Sequence, residues 1–335
     1  MTLDTRIAAL VLTPFMLWAC PPPTVRGDAA ADDVANDMPG APADTAIDTV
    51  DEAPPVEAGQ RDCGAIPDAG SAAYALTAET LMVGATARTY TLAAPAGSPP
   101  CGRSRALVLV FHGDGGAGGR TQHFLVLENT TAGEAVVVYP DGLPIPGSAT
   151  GTASTWDTDT AAGTNRDVAF FDALVQSLTT RFGIDPHRVF ATGLSRGAYF
   201  TNELGCVRGD VLRAIAPHSG GGPFAPTGDP DARYETYMGT SLFVCPTRAS
   251  SVSAMVIHGA ADPVVPPSEG LATRMHWEYY AGCSGERAAA APAPCEASLG
   301  CTGNRRVLWC EIPGLTHQYW ADVRTAVWGF FRDSP

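Results

Sequence analysis

The sequence predicts a single α/β domain, a mostly parallel doubly wound sheet with helices on both faces. Three observations predict it. Short apolar, β-branched runs alternate with helical periodicities from Cys63 to the C-terminus, the pattern of strand and helix repeats. Several of those runs are almost uninterruptedly apolar, as strands buried on both faces require. Hydrophobic residues make up 45% of the 335, enough for one large core.

In chain order, Arg6 precedes the apolar run Ile7 to Trp18, which is shorter than the ~20 residues of a spanning helix. Residues 1–20 therefore read as a signal peptide. It ends in Leu17-Trp18-Ala19-Cys20, which resembles a lipoprotein box that would leave Cys20 acylated. An ordinary cleaved signal with an incidental cysteine is the alternative; both export the product. Residues 21–62 are mainly Ala, Asp and Pro, too poor in long apolar side chains to offset their ordering entropy, so a disordered tether is expected. That stretch holds ten acids against Arg26 and Arg61, and so carries most of the formal charge of −14.

The folded domain is expected over residues 63–335. Strands are predicted at Arg88 to Leu92, Ala106 to Phe111, Ala135 to Tyr139, Arg188 to Ala191, Ala214 to Ala216, Ala254 to His258 and Val307 to Glu311. The clearest helix runs from Arg166 to Phe182, where Val168, Phe171, Leu174, Val175, Leu178 and Phe182 recur on one face. Further helices are expected after Ser195, over Pro267 to Ala281 and after Tyr319. A parallel sheet of this kind gathers its chemistry in loops beyond the C-terminal ends of its strands.

Charge and cysteines narrow the function. No basic cluster exists, which removes the electrostatic attraction that drives nucleic-acid binding. All 21 positive residues are arginine, excluding a Schiff-base lysine, a Ser-Lys pair and a P-loop lysine. Setting Cys20 aside, eight of the nine cysteines remain, an even number suited to disulfides in an oxidising compartment. Cys63 with Cys101 and Cys206 with Cys245 are expected to pair, leaving Cys283, Cys295, Cys301 and Cys310 to pair among themselves. The spacing offers no CxxC or Cys/His cluster for zinc.

The sharpest chemical signal is Gly193-Leu194-Ser195-Arg196-Gly197, set between the predicted strand Arg188 to Ala191 and a helix. This is the context of a nucleophile elbow, in which a tight strained turn lifts the serine hydroxyl above the sheet. A serine needs a base, and the base needs an acid to hold its tautomer. Asp262 lies just beyond one later strand and His317 beyond the next, giving the order serine, acid, histidine of α/β-hydrolases. The loop His112-Gly113-Asp114-Gly115-Gly116 follows another strand and is placed to complete an oxyanion hole. Its donors are expected to be the backbone N–H groups of Asp114 and Arg196. His218 is the rival base, but it precedes Asp262 and breaks that order. His112 is expected to brace its loop, and His112, Trp156 and Tyr199 are candidate substrate contacts; Trp277 and Trp320 are further candidate pocket walls.

The segments DVAFFDALVQSLTTRFGIDPHRVFATG from Asp167, GLSRGAYF around Ser195, HGAADPVVP from His258 and GLTH ending at His317 resemble the family of secreted polyhydroxybutyrate depolymerases and feruloyl esterases. The resemblance runs from about Cys63 to Phe331, and the cysteine-rich stretch from Cys283 to Cys310 is particularly similar to feruloyl esterases. It implies an α/β-hydrolase fold, a triad of Ser195, Asp262 and His317, and neither metal nor organic cofactor. Arg196 departs from the smaller polar residue common there, and Leu315-Thr316 from common glycines. The expected function is hydrolysis of a hydroxycinnamoyl ester on plant polysaccharide through an acyl-enzyme. The alternative within the class is a polyhydroxyalkanoate. Outside it stand a non-catalytic binding lipoprotein on a hydrolase scaffold and a prolyl-type peptidase, for which no room for a cap exists.

Overall fold

In the computed structural model, residues 72–98, 103–144, 154–159, 164–246 and 252–334 are described. The expected signal peptide, Cys20, the acidic tether and the pairing of Cys63 with Cys101 lie outside them. The apolar run predicted at Ala106 to Phe111 becomes β3 (Arg105–Phe111), buried at every position. Its side chains alternate between two cores. Leu107, Leu109 and Phe111 pack with α2 (Arg166–Phe182), α3 (Arg196–Val207) and α4 (Pro267–Ala281). Ala106, Val108 and Val110 pack on the other face with α1 (Gly118–Leu125) and α5 (Val323–Arg332). Both faces are covered, so the strand has no solvent side and no alternation of polarity.

The other strands of the main sheet are β1 (Tyr74–Val83), β2 (Thr86–Pro95), β4 (Ala135–Pro140), β5 (Ile184–Leu194), β6 (Ala214–His218), β9 (Ser253–Gly259), β10 (Arg287–Ala289), β11 (Glu296–Ser298) and β12 (Val307–Ile312). Their order is β1-β2-β4-β3-β5-β6-β9-β12-β11-β10. The centre from β4 to β12 is parallel, while β1, β2, β11 and β10 join it antiparallel. β7 (Tyr234–Tyr237) and β8 (Thr240–Phe243) form a separate hairpin. All seven predicted strands exist, each longer than predicted at one end or both. β1, the β7–β8 hairpin, β10, β11 and α1 were not foreseen.

Helix α2 begins where Asn165 accepts hydrogen bonds from the N–H groups of Asp167 and Val168, and ends at Gly183 with φ 61°, a left-handed cap that suits glycine. α4 starts on Pro267, whose missing N–H costs nothing in a first turn. Among the described residues no helix is long and apolar enough to cross a membrane.

Cys206 bonds Cys245, as expected, and the last four cysteines pair among themselves, Cys283 with Cys301 and Cys295 with Cys310, a connectivity the sequence left open. Replacing Cys206 and Cys245 together by alanine is expected to lower stability by about 4 kcal/mol through lost loop-closure constraint. The urea midpoint would fall with it. A loss below about 1 kcal/mol would mean the unfolded chain is not constrained by the bridge.

Candidate active site

Ser195 follows β5 directly and precedes α3, with φ 56° and ψ −122°. A non-glycine residue held there stores about 1–3 kcal/mol of strain. The flanking glycines are required by contact. A Cβ on Gly193 would lie 2.5 Å from Gly197 O and 2.8 Å from Phe111 O, and one on Gly197 would collide with Phe111 O at the end of β3. The turn is pinned by Ser195 N–H donating to His218 O at 3.0 Å. The predicted elbow is therefore present as a backbone conformation.

Asp262 stands three residues beyond β9. Its Oδ1 accepts from the N–H groups of Val264 at 2.9 Å and Val265 at 3.0 Å, and its Oδ2 faces His317 Nδ1 at 2.8 Å. Burial alone would raise this carboxyl, but the His317 hydrogen bond and the two backbone bonds outweigh it and hold the pKa below the ordinary value. His317 lies beyond β12 in a turn fastened to the Asp262 loop: Ala261 N–H donates to Leu315 O and Ala260 N–H to Ile312 O, each at 3.0 Å. A Cβ on Gly259 would collide with Leu315 O, so close approach of the two loops requires glycine there. With Nδ1 committed to Asp262, Nε2 is the nitrogen left to exchange a proton.

His218 has no nitrogen to spare. It is fully buried, its Nε2 accepts from Trp320 N–H at 3.0 Å, and its Nδ1 pairs with Ser219 Oγ at 3.2 Å. It braces the stretch following His317, a supporting role that its sequence context did not reveal. His258 is also buried beside Asp262, and its Nε2–H donates to Val265 O at 3.0 Å.

Burial lowers the pKa of His218 and that of His276 to about 3. The unfolded value is about 6.5, so between the two the unfolded chain binds more protons. Stability from these groups is complete above about 6.5 and is lost as pH falls towards 3. His276 touches Cys245 Sγ and the rings of Trp277 and Tyr280. Between pH 7 and 4, wild type is expected to lose about 3 kcal/mol more than His276→Leu. Equal acid slopes in chemical denaturation would refute it.

The loop after β3 runs alongside the serine, since a Cβ built on Gly113 would lie 3.3 Å from Ser195 Cβ. Gly115 N–H donates to Ser154 O and Gly116 N–H to Gly113 O. Among the described residues no backbone carbonyl outside the helices and strands takes the N–H of Asp114 or Arg196. Their side chains also meet, Arg196 Nε lying 3.3 Å from Asp114 Oδ1 while Thr155 Oγ1 donates to that same oxygen. Arg196 thus joins the ends of β3 and β5.

Four of the candidate contacts and pocket walls lie away from the surface. His112 is 1% exposed; its Nδ1 meets Gly113 O at 2.7 Å and its Nε2 accepts from Gly142 N–H at 3.0 Å, so it braces the loop and does not face a ligand. Trp156 is not a pocket wall. It is fully buried, stacked on Phe200 at 5.2 Å and donating to His112 O, because its indole N–H finds a partner within the core. Trp277 is likewise core, donating to Asn202 Oδ1, and Trp320 is buried. Tyr199, half-buried one turn beyond Ser195, keeps a position beside the site. Among the described residues no group of three His, Cys, Asp or Glu side chains could hold a metal ion.

The parallel centre, the serine on a strained strand-to-helix turn, and an acid and histidine beyond two later strands are those of the α/β-hydrolase fold. An acetyl xylan esterase from Aspergillus awamori shares it with a TM-score of 0.55 at 18% identity, over 76% of this chain and 99% of that one. In sequence the chain is similar to "Putative esterase NocK" of Nocardia uniformis subsp. tsuyamanensis, 31% identical over 198 residues, 59% of this chain and 51% of that protein. It is also similar to feruloyl esterase C of Emericella nidulans, 28% identical over 203 residues, 58% of this chain and 63% of that protein. Feruloyl esterase B of Piromyces equi is 24% identical over 197 residues, 55% of this chain and 34% of that protein. The chain thus spans less than two thirds of the curated relatives it matches. No family model matches. The resemblance to feruloyl esterases read from the motifs is found again in these relatives.

Proposed function

We propose that the protein is an exported serine hydrolase of carboxylic esters, acting on hydroxycinnamoyl esters of plant polysaccharide. The observation that carries the reading is the 2.8 Å bond between His317 and the buried Asp262, on loops beside the strained Ser195 turn. His317 Nε2 takes the Ser195 proton as Oγ attacks the ester carbonyl. The N–H groups of Asp114 and Arg196 receive the oxyanion, each worth about 3–4 kcal/mol in such sites. His317 then protonates the leaving alcohol, and water repeats the attack on the acyl-serine. Similarity to feruloyl esterase C supports the choice of acyl group.

The test is release of p-nitrophenol from acetate and butyrate esters, and of ferulate from its methyl ester, with 3-hydroxybutyrate oligomers in parallel. Turnover of methyl ferulate with slower oligomer cleavage is the expected result. Oligomer cleavage without ferulate release would replace the substrate, and no turnover on any ester would leave a binding scaffold. Disulfides support export; attachment through Cys20 is read from sequence and would be lost in Cys20→Ser, seen as absence of labelled palmitate.

A further inference from the structure

Three chain segments meet beside Ser195: the strained turn itself, the loop after β3 and the stretch from Ser154 to Asp159. The loop after β3 is a four-residue turn, closed by Gly116 N–H donating to Gly113 O at 3.0 Å. Gly115, its third residue, has φ 70°, the left-handed position that glycine fills without strain. Asp114 is the second residue, so its carboxylate and its N–H are carried by one short piece of backbone. On one side that piece is tied to the 154–159 stretch, by Gly115 N–H donating to Ser154 O at 2.8 Å and by Thr155 Oγ1 donating to Asp114 Oδ1. On the other side it faces the Ser195 turn, and among the described residues the polar tie there is Arg196. Arg196 Nε lies 3.3 Å from Asp114 Oδ1 and 3.4 Å from Oδ2, and Nη1 lies 3.3 Å from Thr158 Oγ1. The guanidinium also rests 5.9 Å from the centre of the Tyr199 ring, within the range of a cation–π contact. Arg196 opens α3, and the first-turn N–H groups of a helix have no partner within it.

We propose that Arg196 is a positioning residue, whose ion pair with Asp114 sets the separation between the Asp114 and Arg196 N–H groups and so the fit of the oxyanion between them. The inference rests on the esterase reading above and adds to it side chains that touch no reacting atom. The two side chains are 36% and 55% exposed, and an exposed ion pair contributes at most about 1 kcal/mol to folding. Catalysis is more sensitive, since a displacement of about 1 Å in a reacting geometry costs up to about a hundredfold in rate. Lysine would keep the charge, but a single ammonium does not span Asp114 and Thr158 as the planar fork of arginine does.

Both N–H groups belong to the backbone, so replacing either side chain leaves the donors present and alters only their placement. The experiment measures kcat and KM on p-nitrophenyl acetate, the inhibition constant of phenylboronic acid and the urea midpoint. It compares wild type, Arg196→Ala, Arg196→Lys, Asp114→Ala and the variant with both alanines. Phenylboronic acid adds to a serine oxygen as a tetrahedral anion, and so reads oxyanion binding apart from turnover. Arg196→Ala and Asp114→Ala are each expected to lower kcat by about tenfold to a hundredfold and to weaken the boronate by a like factor, with KM within about threefold and the urea midpoint unmoved. The double variant is expected to lose no more than about threefold beyond either single one, because both changes remove the same link. Arg196→Lys is expected to recover part of the loss. Wild-type kcat and boronate affinity in Arg196→Ala, losses that multiply in the double variant, a change confined to KM, or a urea midpoint that falls in step with kcat each overturn the positioning role while leaving the esterase. Absence of turnover by wild type on any ester overturns the esterase reading itself.

Discussion

Ser195→Ala is expected to lower kcat on p-nitrophenyl acetate by about a million-fold, the scale seen when a triad nucleophile is removed. Nothing else at the turn can form the acyl-enzyme; the Asp114 and Arg196 amides would leave only the about thousand-fold to ten-thousand-fold residual over water that oxyanion binding alone provides. A second readout separates catalysis from folding. With φ 56° and ψ −122°, Ser195 occupies a conformation that glycine adopts freely, so Ser195→Gly is expected to gain about 1–3 kcal/mol of stability while losing the same activity. Retention of more than about a hundredth of wild-type turnover in Ser195→Ala would show that another residue attacks, and that the elbow is only a turn.

Asp262→Asn is expected to lower kcat by about ten-thousand-fold with the fold intact. The amide oxygen can still accept from Val264 and Val265 N–H groups, which bond Oδ1. The amide nitrogen would replace the Oδ2 acceptor facing His317 Nδ1, and as a donor it would favour the tautomer with hydrogen on Nε2, unable to take the serine proton. Wild type also has a stability contribution that the variant lacks. Asp262 titrates below its ordinary value, so that contribution is present above the unfolded pKa of about 3.9 and is lost as pH falls through the lower folded value. An Asp262→Asn enzyme within about tenfold of wild type would mean that His317 is oriented by something else.

The parallel centre was legible because buried strands must be apolar at nearly every position, as β3, β4 and β9 are. β1 escaped notice because most of its residues are exposed, so no apolar run marks it. β10 and β11 have three residues each, too few for a periodicity. α1 begins within a glycine-rich loop that reads as coil, yet the loop's glycine is what seats it: a Cβ on Gly118 would overlap Tyr139 O. Ser195, Asp262 and His317 were legible as candidates through a local motif and chain order, whereas the bond from Trp320 N–H to His218 carried no signal in the sequence.

By itself the sequence determined the α/β class, the strained turn at Ser195 and the succession of serine, acid and histidine. The elements and the turn depend on residues within a few positions of one another, where steric and hydrogen-bonding rules act over a single turn or strand, and the succession is chain order alone. Only the tertiary structure decided that His317 reaches Asp262 across 55 residues and that His218 is spent on Trp320 across 102. It also moved Trp156 into the core and set Arg196 against Asp114. Such pairings follow from which strands become neighbours, and that order is a property of the whole packed sheet.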